Sequence, residues 1–156
     1  MRLSILAALV ASALTAEAAT AQTSTAEPSV TGPYILINGS ATSAGWIASG
    51  TRIRHGDLAR ITTVTILTHP RTAEGVAFGR TDIRTEYNCA TGQRRNLVYA
   101  VRGMDNGLLK TGVLNEAWST VDRTQFGAAL TFDYVCHDRV PSGPQPADLE
   151  SVIRDH

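Results

Sequence analysis

Four histidines and a scatter of carboxylates are the side chains in this sequence best equipped for chemistry. His55-Gly56-Asp57 offers two metal ligands, and His69 or the pair His137-Asp138 could add a third. A structural zinc site takes four ligands, commonly at C-x₂-C or H-x₃-H spacing, each oriented by a hydrogen-bonded neighbour. None of those spacings occurs, so the histidines read as solvated loop residues and no metal is expected. Acid–base catalysis needs two carboxylates held in one pocket, whereas Asp57, Glu74, Asp82 and Glu86 are dispersed. There is no G-x-S-x-G elbow and no phosphate-binding loop, and the small-residue run 40–49 around Gly45 lacks the flanking elements of one. The expectation is a protein without a catalytic set and without a cofactor. The alternative is an exported enzyme or envelope stress factor with a site at His55, Asp57 and His69.

The two cysteines, Cys89 and Cys136, carry more information. Arg2, the apolar run 3–14 and the small-residue sites Ala16-Glu17-Ala18 and Ala19-Thr20-Ala21 have the layout of a secretory signal peptide. The run is too short to span a bilayer, which needs roughly 20 residues. No cysteine near the cleavage sites suggests a lipid anchor, so the expected location is the periplasm or the cell surface. In an oxidising compartment a single cysteine pair forms one disulfide most simply. A reactive thiol would need an activating partner, and the adjacency of His137 to Cys136 does not supply that geometry.

Charge defines the remaining candidate. Fourteen basic and fourteen acidic residues cancel over 156 residues, which argues against a dedicated nucleic-acid binder. The apolar content of 43% is too high for a disordered chain. Arg94-Arg95, with Arg84 and Arg102 on neighbouring strands, forms a candidate basic patch for an acidic partner. The plainer reading is a solvated sheet face balanced by Asp82 and Glu86.

The elements that must position these residues are mostly strands. Ile83, Thr85, Tyr87 and Cys89 alternate with Asp82, Arg84, Glu86 and Asn88, the pattern of a strand with one buried face and one charged outer face. Thr91-Gly92 follows as a turn, Leu97, Tyr99 and Val101 resume the alternation, and Asp105-Asn106-Gly107 marks a hairpin leading to a strand at 108–114. Upstream, the β-branched segment 60–68 reads as a strand, with shorter ones at 34–38 and 47–53. Residues 22–33 and the Pro-rich stretch from 139 to 156 read as a flexible leader and tail around one domain at 34–138, with a helical turn or two at 147–154. The segment 122–136 is the expected cover for the sheet. Asp122 and Gln125 resemble a capping box, after which Phe126, Ala129, Leu130 and Asp133 share a helical face near Cys136. Leu130, Phe132, Tyr134 and Cys136 also alternate as a strand would, and the pattern favours helix over strand.

Tyr87-Asn88-Cys89-Ala90, Arg94-Arg95, Tyr99, Gly103, Trp118 and Tyr134-Val135-Cys136 stand in an order and spacing that resembles the surface-adhesin protein E-like domain of Gram-negative bacteria. The resemblance covers about residues 58 to 137. It implies an α+β fold, a single antiparallel sheet of five to six strands covered by a C-terminal helix that a Cys89–Cys136 disulfide tethers. It also implies Trp118 as a packing residue and an adhesin-like activity toward host matrix proteins. The expected function is thus a non-enzymatic protein-binding domain of the cell envelope. Its partner would be a host matrix or envelope protein, met at the sheet's outer face or an edge. A homodimer is the simpler structural alternative.

Overall fold

The computed structural model describes residues 27–143, 145–146 and 148–154. The expected signal peptide at 1–21 and leader residues 22–26 lie outside the described residues. Six strands form an antiparallel meander in chain order: β1 (Tyr34–Gly39), β2 (Ser43–His55), β3 (Leu58–Ala73), β4 (Val76–Asn88), β5 (Gln93–Arg102) and β6 (Leu108–Val113). A two-residue strand β7 (Ser119–Thr120) pairs with β5 beyond the end of β6. The turns are those the residue types demand. Gly92 takes φ +67° between β4 and β5, and Asn106 takes φ 68° between β5 and β6, where the Asp105 carboxylate accepts the Gly107 N–H at 3.0 Å. β3 and β4 run on past a bulge between Ile66 and Arg71, carrying a hairpin arm beyond the body of the sheet.

Helix α1 (Phe126–His137) crosses one face. Val135, Cys136 and Phe132 pack on Ile35, Ile47, Ile61 and Tyr87, with the Tyr87 and Phe132 rings edge-to-face at 6.1 Å. The Cys89–Cys136 disulfide ties the end of α1 to the β4–β5 turn. Arg52 and Arg54 reach up from β2 and donate to the carbonyls of Val135 and Cys136 at 2.8 and 3.0 Å, capping a helix end that is otherwise short of donors. Arg52 also pairs with Asp138, and its hydrogen bond holds that carboxyl below the usual range.

Two details of α1 differ from the sequence pattern. The N-cap is Gln125, with no side-chain cap; Asp122 instead accepts from the backbone and hydroxyl of Thr124 in the preceding turn. Phe126 and Asp133 do not face the sheet. The segment is apolar on both sides, so periodicity alone does not choose a face, and the disulfide rotates the Cys136 side inward.

The opposite sheet face is covered as well. Helix α2 (Leu149–Arg154) lays Val152 and Leu149 on Tyr34, Trp46, Val64 and Ile66, while Val30 packs beside them from the N-terminal side. The Tyr34 N–H donates to the Pro146 carbonyl at 2.8 Å, and the Asp148 carboxylate caps α2 through the Ser151 N–H. The folded unit therefore extends beyond 34–138, because the segments at both ends contribute core. Among the described residues no helix is long and apolar enough to cross a membrane.

Candidate binding surface

The structure does not gather the four candidate arginines into one patch. Arg84, Arg95 and Arg102 project to the α2 face, whereas Arg94 projects to the α1 face, one position out of phase with Arg95 along β5. Nor is the α2 side of β4 a solvated charged face, since Asp82 and Glu86 are both buried.

Strand register explains this. Glu86 lies opposite Arg60 on β3 and Arg95 on β5, and accepts from them at 2.8 and 2.6 Å. The Trp118 ring covers the Arg95 guanidinium at 4.6 Å, so the packing partner of this tryptophan is a cation. Four residues along, Arg80 grips Asp82 through two hydrogen bonds of 2.7 and 2.8 Å. Arg102 donates to the same carboxylate at 3.2 Å and pairs with Glu27. Arg84 donates to the Ser29 hydroxyl at 3.0 Å. These arginines tie the chain ahead of β1 to the sheet.

Burial works against the charge of Glu86, but the hydrogen bonds and charges of Arg95 and Arg60 outweigh it and lower its pKa. A depressed carboxyl stabilises the fold fully above the ordinary glutamate value, and that contribution is lost as pH falls through the depressed one. Glu86→Gln should cost on the order of 1–3 kcal/mol at neutral pH. It should also flatten the loss of stability below about pH 4, read by urea titrations across pH. Asp82 acts in the opposite sense. Burial raises its carboxyl against the pull of Arg80, so stability from this group falls as pH rises above the ordinary aspartate value.

The histidine–aspartate set does not assemble. His55 and Asp57 flank the β2–β3 turn, and His69 sits toward the far end of β3. His137 stacks edge-on to Phe132 at 5.5 Å. Among the described residues no three His, Cys, Asp or Glu side chains converge as metal ligands would.

Three surface features remain. The outer edge of β6 meets no strand among the described residues, and its Leu108 and Leu109 are each 47% exposed. Met104, in the turn before it, is exposed too and lies over Gly79. A hollow of about 280 Å³ on the outer side of α1 is lined by Phe126, Leu130 and Val140. A polar groove of about 400 Å³ runs between the first turn of α1 and strands β4 and β5, with Arg94 in its wall. The residues β6 exposes were read from the sequence only as a returning strand; that its far side is an edge depends on which strand comes last in the sheet. Comparison with family models, with curated proteins and with solved structures finds no match to this chain.

Proposed function

We propose that this chain is an exported, non-enzymatic protein-binding domain of the bacterial envelope, which takes up an extended segment of another protein at the β6 edge. The observation that carries this reading is the edge itself. β6 presents one row of unpaired backbone donors and acceptors among the described residues, flanked by exposed Leu108 and Leu109. Such a row is a template for strand addition, in which main-chain hydrogen bonds supply affinity and alternate side chains supply selectivity. Its only charged residue is Lys110, which is already paired with Glu74 at 3.1 Å. The opposite edge is different, because β1 is engaged by the Pro146 backbone. A six-residue strand contact alone falls short of the roughly 1,200–2,000 Å² that stable complexes bury. That favours a segment whose side chains also reach the apolar residues around the turn over a second β6. The resemblance to adhesin E-like domains and the pattern of a signal peptide support the same reading.

The oxidised mature chain, incubated with immobilised matrix proteins and with envelope extract at physiological salt, should show saturable retention of a partner. Leu108→Lys with Leu109→Lys should lower that retention at least about tenfold while leaving stability within about 0.5 kcal/mol, as for exposed positions generally. No saturable partner, or unchanged binding by the double variant, would overturn the proposal.

A further inference from the structure

We infer that the groove between the first turn of α1 and the β4–β5 half of the sheet is a small-ligand site for a short peptide-like acid whose terminal carboxylate is received by Arg94. The inference rests on a different surface from the β6 edge and stands independently of it. The groove's volume of about 400 Å³ lies within the range of roughly 300–1,000 Å³ typical of ligand pockets.

Its charge is asymmetric. Among the described residues, Arg94 is the only ionic side chain in the lining. On the other face Arg60, Arg80, Arg95 and Arg102 are paired with Glu86, Asp82 or Glu27 and Arg84 donates to the Ser29 hydroxyl, whereas Arg94 has no carboxylate in ion-pair range among the described residues. Its position is fixed from below. Arg94 lies opposite Tyr87 across the strands, and its backbone carbonyl accepts from the Ser119 hydroxyl of β7 at 3.3 Å. The planar guanidinium it carries is suited to receive a carboxylate through two parallel N–H donors.

The rest of the lining selects the ligand's body. Asn38 and Gln125 offer donors and acceptors around small apolar contacts from Ile83 and Ala128, and the Thr131 hydroxyl, which donates to the Gly127 carbonyl at 2.7 Å, offers an acceptor, a mixture that matches peptide amides with small side chains. Asn96 is occupied with Thr85 at 2.9 Å and with Glu116 at 3.2 Å. The Glu116 carboxylate therefore lies beside Asn96 and repels an anion there, leaving Arg94 as the position for the ligand's negative end.

The test is a chemical-shift titration of the isotope-labelled, oxidised full chain with acetylated di- and trialanine as free acids, and with their C-terminal amides. Saturable shifts are expected for the free acids at Asn96, Gly127 and Ala128. The amides should bind at least about tenfold more weakly, and Arg94→Gln should weaken the acids by the same factor. Lys110→Gln, on the same sheet face but outside the groove, should bind the acids as the wild type does. Arg94 is exposed, so the spectrum of R94Q away from the groove should be unchanged and a folding defect would be visible. Equal affinity for acid and amide, wild-type binding by R94Q, or no saturable shift with any of these acids would overturn the assignment.

Discussion

Replacing Cys89 and Cys136 together by alanine is expected to remove about 4 kcal/mol of stability, the chain-entropy value for a loop of 47 residues. Domains of this kind are stable by only about 5–15 kcal/mol, so the loss is a large fraction of the total. The physical reason lies in what α1 does without its tether. Its face on the sheet is a single stripe, Phe132, Tyr134, Val135 and Cys136 with Ala128 and Leu130 beside them, against Ile35, Ile47, Ile61 and Tyr87. The first turn carries no side-chain cap to hold it otherwise. In the unfolded chain the crosslink removes much of the freedom that docking α1 must restrict. Urea unfolding of oxidised wild type against the double alanine variant measures this. A large drop in midpoint with a similar slope is expected, and coincident midpoints would contradict the assigned role of the disulfide.

The second large effect is expected at Arg80. Arg80→Met leaves Asp82, a fully buried carboxylate, with only the longer hydrogen bond from Arg102, which Glu27 also engages. Breaking a buried ion pair from one side costs about 3–5 kcal/mol, because the remaining charge is stranded without water. Removing both charges, as in Arg80→Met with Asp82→Leu, should be markedly less damaging than Arg80→Met alone. The difference between the cycle's corners is the coupling, and it separates an ion pair from simple packing. If the effects of Arg80→Met and Asp82→Leu, measured separately, add up to that of the double variant, the pair is not coupled.

These two sites show how legible the chain was. The β4 alternation of Ile83, Thr85 and Tyr87, the Asn106-Gly107 hairpin and the cysteine pair are local or compositional signals, and the sheet, the turn and the disulfide follow them. The charged parity of β4 was visible too, but not its burial. Whether Glu86 faces water depends on Arg60, 26 positions before it, and on Arg95 beyond the turn, and only strand register brings those together. The same non-locality separates Arg94 from Arg95. Adjacent in sequence, they point to opposite faces because a strand alternates. The second core layer was hidden for another reason. Pro28, Pro33, Pro141 and Pro146 read as linker, yet Val30 and Val152 on those segments complete the packing around Trp46. A few apolar residues among prolines give no period to read.

The binding account makes the sheet a scaffold for an edge. The disulfide and the two ion networks stiffen the interior strands, and β6 is held by one neighbour, with the Tyr99 ring lying over Gly112 where no side chain would fit. Strand addition at such an edge extends a rigid template rather than ordering a loose one, which lowers the entropy lost on binding.

The most direct measurement is amide hydrogen exchange across β6 in the free protein and with the retained partner bound. In the free protein the β6 amides facing away from β5 should exchange quickly, and on binding they should become protected together. Protection confined to the hollow at Phe126 and Val140, or β6 amides that exchange alike with and without the partner, would contradict the assignment of the edge as the binding site.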